Sequence, residues 1–182
     1  MWTARPDAPS VALVQHTAAF MAEELGLIAW RERRAEWGGL VWGRRYLAEG
    51  GPAVWLAAMT PGVGRSSAVD FQMDPESYVV GLRMLERSGF PPDLEELGMW
   101  HTHPSYGVFL SSVDEEYFQL CWPQSWTVSV VFDPVNGDRG VFVKSAFAPK
   151  RIPTYIYSGR SFGLVPALDP WQAWRTVEGF SR

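Results

Sequence analysis

The chain is expected to fold as one mixed α/β (α+β) domain, a largely antiparallel or mixed sheet flanked by helices. Two strand pairs joined by turn chemistry and helical patterns set between them point that way. So does a length of 182 residues with no repeat and no internal linker long enough to separate two domains. The expected division is a flexible N-terminus over 1–10, a main domain over 11–158, and a tail over 159–182 with a short helix packing back.

The first periodic element is helical. Val14, Ala18, Met21 and Leu25 make one apolar stripe, and His16 lies about 200° around the helix from Val14, facing away from it. After the charged turn Arg31–Arg34, two strand-like runs, 37–46 and 53–59, flank Ala48-Glu49-Gly50-Gly51-Pro52, which reads as a hairpin loop. A polar, glycine-containing stretch follows over 60–73. Asp74 and Pro75 then open a second helix with Tyr78, Leu82 and Leu85 as its inner face, and Gly89 with Pro91-Pro92 stops it.

A strand over 97–103 leads through a loop to a short helix near Ser111. A Val- and Thr-rich strand over 126–132 and its partner over 141–147 enclose Asn136-Gly137, a strong hairpin signal. Asp169-Pro170 opens a last helix that can pack through Trp171, Trp174 and Phe180.

Composition narrows the chemistry. Sixteen basic against twenty acidic residues leave a net charge of −4, with no polybasic footprint for nucleic acid. The apolar stretch 11–30 is interrupted by Gln15, His16, Glu23 and Glu24, so no membrane span is expected, and no leader segment is visible. A cytoplasmic protein is the default expectation. The single cysteine, Cys121, excludes an internal disulfide and any multi-thiolate zinc site. Its apolar surroundings predict a buried, inert thiol. Ten tryptophans are the one excess. Most are expected in packing, with Trp122, Trp171 and Trp174 as candidates for a surface that meets a partner.

The segment that carries chemistry is His101-Thr102-His103-Pro104 followed by Ser111-Ser112-Val113-Asp114. Residues two apart in a strand share a face, so His101 and His103 can offer two imidazoles to one metal. Asp114, in the first turn of the next helix, can add an oxygen. Two His and one carboxylate with an open position is the layout of a catalytic zinc. Structural readings stand beside this one. Ser112 and Glu115 fit a capping box, and Asp114 suits the positive end of a helix dipole. A zinc deaminase would need His-x-Glu and Pro-Cys-x-x-Cys, which a chain with one cysteine lacks.

The spacing resembles the JAMM, or MPN-plus, metalloprotease family: His-x-His-Pro, ten residues between His103 and Asp114, and a serine three before the aspartate. Glu36-Trp37-Gly38-Gly39-Leu40-Val41-Trp42-Gly43 resembles that family's second signature, a glutamate ahead of a glycine-containing strand. The resemblance covers roughly residues 11–150 and implies a cytidine-deaminase-like architecture with one catalytic Zn2+ per chain, held by His101, His103 and Asp114. It also implies Glu36 as general base and Ser111 as donor to the oxyanion.

By the same resemblance, the reaction is cleavage after the C-terminal Gly-Gly of a ubiquitin-like protein, from its conjugates or its precursor. The expected setting is a bacterial ubiquitin-like conjugation system, some of which are antiviral. A sulfur-carrier protein or other small peptide is the alternative substrate, and a catalytically silent binding module the alternative role. The stretch 60–73 stands where the family carries its first insertion. Thr60, Gly62, Val63, Gly64, Ser66 and Phe71 are therefore candidates for holding the substrate tail. The family's second insertion is short or absent, with only 121–125 between helix and strand.

Overall fold

The computed structural model describes residues 8–158 and 167–178. In chain order these form β1 (Val11–Gln15), α1 (His16–Arg33), β2 (Gly38–Ala48), β3 (Gly51–Pro61), β4 (Gly64–Ser66), β5 (Phe71–Met73) and α2 (Glu76–Arg87). There follow β6 (Glu95–Thr102), α3 (Ser112–Cys121), β7 (Val128–Asp133), β8 (Asp138–Val143), β9 (Lys150–Ile152), β10 (Thr154–Tyr157) and α4 (Pro170–Glu178). Residues 1–7 of the expected N-terminal segment, and 159–166 and 179–182 of the expected tail, lie outside the described residues.

Eight strands form one sheet in the order β10-β1-β3-β2-β6-β7-β8-β9, and β4–β5 form a separate ribbon. β1 runs parallel to β10 and β3, and β6 parallel to β7; the other pairs are antiparallel. This is the mixed, mainly antiparallel sheet with flanking helices that the sequence predicts. β9 and β10 stand at opposite ends of that order, yet only Pro153 separates them. The segment 150–157 therefore pairs with β8 through its first half and with β1 through its second, so the sheet must curl until its edges meet. Pro153 has no N–H to give a ladder, but its carbonyl accepts from the Ala12 N–H at 3.0 Å.

Helix α1 lies within that curl. It buries Ala18, Ala19, Met21, Ala22, Leu25, Gly26, Ile28 and Ala29 against β1, β3, β6 and β7 and, through α4, on a further side. Small residues allow the close approach. A Cβ on Gly26 would stand 2.5 Å from Thr102 Cγ2 at the end of β6, so this glycine lets the helix press on the strand that carries the histidines.

Several local expectations are corrected. Val14 lies in β1 rather than in a helical stripe, and α1 begins at His16, which is exposed. A five-residue strand between two parallel partners has no local turn signal to mark it. Helix α2 has Pro75 as its cap residue with no side-chain cap, and it buries Ser77, Gly81 and Leu85 while Tyr78 and Leu82 face solvent. The reason is Gly81, where a Cβ would come within 2.7 Å of Thr60 Oγ1: the helix turns its smallest residues to the sheet. Trp122 and Trp174 are buried, leaving Trp171 as the exposed one of the three proposed surface tryptophans. Cys121, expected to be buried, is exposed. No helix among the described residues is long and apolar enough to cross a membrane.

Candidate metal centre

The site is assembled by register. β2 and β6 pair antiparallel with Gly38 opposite His101, and the Thr102 N–H donates to the Trp37 carbonyl at 2.8 Å. Continuing that register by two residues, past the ends of both strands, brings Glu36 toward His103, which is near enough to act on its carboxyl. Directly opposed residues share a face, so Glu36, His101 and His103 stand on one side of the two strands, and Thr102 stands on the other. Thr102 Oγ1 accepts from the Trp37 N–H and donates to its carbonyl, which pins the register from behind.

Gly38 leaves the space in front of His101 open. A Cβ there would meet the Trp100 carbonyl at 2.5 Å, Phe71 Cδ1 at 2.9 Å and His101 Cβ at 3.1 Å. Gly39 permits an even closer approach, since a Cβ would fall 1.9 Å from the Thr60 carbonyl oxygen.

Asp114 completes the cluster from α3. Its Oδ1 lies 3.5 Å from His101 Nε2 and its Oδ2 lies 3.4 Å from His103 Nε2. Four ligands about 2.1 Å from a tetrahedral ion stand about 3.4 Å apart, so these separations fit a zinc-sized cation. A second observation agrees. Both ring nitrogens of His101 are buried and make no hydrogen bond among the described residues, which is costly unless something binds them. Among the described residues, His101, His103 and Asp114 are the group whose ligand atoms converge, all within 4.8 Å.

The capping box is formed by Ser111 and Asp114, not by Ser112 and Glu115. Ser111 caps α3 by accepting from the Asp114 N–H at 3.2 Å, while Asp114 Oδ2 accepts from the Ser111 N–H at 2.7 Å and from its hydroxyl at 2.6 Å. One carboxylate thus caps the helix and faces both imidazoles. Burial alone would raise its pKa, but the imidazoles and the Ser111 hydroxyl outweigh burial and hold it well below the usual carboxylate range. Glu36 responds in the opposite sense. It is only 4% exposed, and burial, aided by Asp114 and Asp70 and opposed by His103, pushes its pKa up to about 7. Burial would lower His103, yet Asp114 and Glu36 raise it.

A cleft of about 370 Å³ opens beside the cluster, lined by Phe71, Met73, Trp100, His101, Asp114 and Tyr117 among others. Of the residues expected to hold a substrate tail, Phe71 lines this cleft. Thr60, Gly62, Val63 and Gly64 do not line it and are buried, and Ser66 is half-buried in β4 opposite Phe71. Three of the four buried ones hold hydrogen bonds. Thr60 Oγ1 accepts from the Trp42 indole and its carbonyl accepts from the Trp100 indole, the Gly62 N–H donates to Gly38, and Val63 bonds Ser77 through both backbone groups. β3 takes in Thr60; Gly62 and Val63 lie between β3 and β4, and Gly64 opens β4.

Sequence reasoning missed Phe109, whose half-exposed ring packs on His103 with centroids 4.7 Å apart. It also missed Asp133. That fully buried carboxylate accepts from the backbone N–H groups of Ser105, Gly107, Val135 and Asn136 and from the Asn136 side chain. It ties the loop after His103 to the β7–β8 turn. An aspartate four residues before the Gly of a hairpin turn was the available signal. Burial would raise its pKa, but these donors hold it low, so its contribution is present at neutral pH and is lost as pH falls through the folded value. Asp133→Ala is expected to cost about 2–4 kcal/mol of stability at pH 7, read as a lower melting temperature. It should also weaken metal binding roughly tenfold, read by competition with a chelator. Unchanged metal affinity would show that the loop is held without it.

No protein-family profile matches the chain. Two curated proteins align with part of it. Over 91 residues, 48% of this chain and 28% of the relative, it is 38% identical to the 26S proteasome non-ATPase regulatory subunit 14 of Dictyostelium discoideum. Over 78 residues, 41% of this chain and 24% of the relative, it is 35% identical to the 26S proteasome regulatory subunit rpn11 of Schizosaccharomyces pombe. The similarity is partial. The chain spans about a quarter of the length of these curated relatives. Its fold is similar to the solution structure of protein DSY2949 from Desulfitobacterium hafniense, with a TM-score of 0.57 at 17% identity, over 83% of this chain and 96% of that one.

Proposed function

We propose that this chain is a zinc-dependent peptidase of the JAMM, or MPN-plus, kind, cleaving after the C-terminal Gly-Gly of a ubiquitin-like protein to release it from conjugates or to mature its precursor. The observation that supports the reading most is the convergence of His101, His103 and Asp114, with the buried Glu36 carboxyl near enough for His103 and Asp114 to act on it. The partial similarity to two proteasome regulatory subunits supports it. A bacterial ubiquitin-like conjugation system, including an antiviral one, is the setting that goes with this reading.

His101, His103 and Asp114 would hold the ion. When bound, zinc supplies a Lewis acid that polarises a carbonyl and brings the pKa of water near neutrality. Glu36 takes one proton of the attacking water and delivers it to the leaving nitrogen, which departs as a neutral amine; the new carboxyl group gives up water's second proton to solvent and stays behind as a carboxylate. Its raised pKa suits both halves of that exchange near pH 7. In this reading the Ser111 hydroxyl turns its one proton from Asp114 Oδ2 to the developing oxyanion, while the Ser111 N–H keeps Asp114 oriented. The cleft beside β5 receives the extended tail, whose backbone adds to the strand edge.

The test is a panel of protein fusions bearing Gly-Gly followed by a peptide, set against sulfur-carrier tails and unrelated peptides. Zinc-dependent cleavage confined to the bond after Gly-Gly of ubiquitin-like fusions is expected. Cleavage of sulfur-carrier tails alone would move the substrate class, and no cleavage by zinc-loaded protein would leave a binding role.

A further inference from the structure

Tyr117 stands one turn after Asp114 on α3 and lines the same cleft. Its hydroxyl donates to the Met73 carbonyl of β5 at 3.3 Å, and its ring meets Trp122 edge-on with centroids 5.8 Å apart. The β5 edge is where this contact matters.

β4 and β5 pair with Gly64 opposite Met73, Arg65 opposite Gln72 and Ser66 opposite Phe71. Backbone bonds run from the Ser67 N–H to Asp70 and from the Asp74 N–H to Val63. In an antiparallel pair, hydrogen-bonded and non-hydrogen-bonded pairs alternate. Asp70, Gln72 and Asp74 therefore spend their backbone groups on β4, and Phe71 and Met73 turn theirs outward. Those two residues offer an incoming chain two N–H groups and two carbonyls. The Phe71 end lies at the ligands, since a Cβ on Gly38 would touch both Phe71 and His101. The Met73 end lies one turn farther along α3, and there the second carbonyl is already taken by Tyr117.

We propose that Tyr117 is a positioning residue that ends the strand pairing between β5 and the substrate tail, fixing the register in which one bond reaches the metal. The inference rests on the function proposed above. With Met73's carbonyl occupied, the tail pairs with both groups of Phe71 and the N–H of Met73, and a shift by two residues gains no further partner. Burial pushes the Tyr117 hydroxyl up to about 12, so it remains a donor throughout the working range.

The experiment uses zinc-loaded protein, wild type and Tyr117→Phe. The substrates are Gly-Gly-tailed fusions with the native tail length or with two residues inserted or removed before Gly-Gly, and the cut bond is mapped by mass spectrometry. Wild type is expected to cut one bond and to reject altered lengths. Tyr117→Phe should show KM lowered about two- to tenfold, the worth of one recovered backbone bond. It should also cut at a second position two residues away and accept the altered tails. Metal content should match wild type, which separates loss of register from loss of the site. A variant with one cut position and unchanged KM overturns the inference while leaving the function standing. Wild-type protein that cuts none of the fusions overturns both.

Discussion

Glu36→Gln is expected to lower the cleavage rate by at least about 10²–10⁴-fold while the protein still binds one zinc. The carboxylate is the base in the proposed reaction and lies outside the converging ligand set, so an amide of the same shape removes proton transfer and leaves the ligands intact. The same variant should be more stable than wild type when both are metal-free. Burial raises the folded pKa of Glu36 from 4.5 to about 7, so the folded state keeps a proton that the unfolded chain releases. Wild-type stability therefore falls as pH rises from about 4.5 to 7, and the penalty is complete above that window. At about 1.36 kcal/mol per unit the upper bound is near 3 kcal/mol, and a gain of order 1–3 kcal/mol is expected for glutamine at pH 8. Thermal melts at pH 8 and pH 4.5 should show a gap that closes at the lower pH. Full cleavage by this variant would sink the mechanism, and a gap independent of pH would sink the account of its burial.

His101→Ala is expected to weaken zinc binding by at least about 100-fold and to abolish cleavage. Both nitrogens of this buried ring make no hydrogen bond among the described residues, and a bound ligand would account for that. Asp114→Asn tests the third corner more gently. An amide oxygen still accepts from the Ser111 N–H, so the cap of α3 survives, but the charge that faces both imidazoles is gone. Zinc at about a hundred times its dissociation constant should stabilise wild type by about 2.7 kcal/mol. For a chain of this size that is roughly 5–10 °C in melting temperature. The shift should vanish in His101→Ala and shrink in Asp114→Asn. Calorimetric titration reads the stoichiometry directly. One zinc per chain retained at full affinity in both variants would place the metal elsewhere.

The legible part of the site was its local part. His101 and His103 could be paired on paper because a strand repeats every two residues, and Ser111 could be placed at a helix start because caps have a chemical signature. Four of the six residues proposed to hold the tail, Thr60, Gly62, Val63 and Gly64, are buried and do not line the cleft. Thr60 satisfies two buried indoles, and Val63 bonds a serine fourteen residues away. Burial of that kind depends on partners that no short window contains. Helix α2 was misoriented similarly, because its apolar residues suggested one face and the contact with Trp42 and Thr60 selected the glycine face.

By itself the sequence determined the class of fold, the order of its main helices and hairpins, and a His-His-Asp grouping that could hold a metal; each follows from periodicity, capping or spacing within a few turns of chain. Tertiary structure alone decided the rest. The register of β2 on β6 put an empty glycine in front of His101, and packing brought Glu36 near His103. Pro153 joined the two ends of the sheet, Asp133 anchored the loop behind the histidines, and Tyr117 reached β5 across 44 residues. These contacts are long in sequence and short in space. Chain entropy separates such groups until a packed core brings them together, so no local pattern can encode which of them meet.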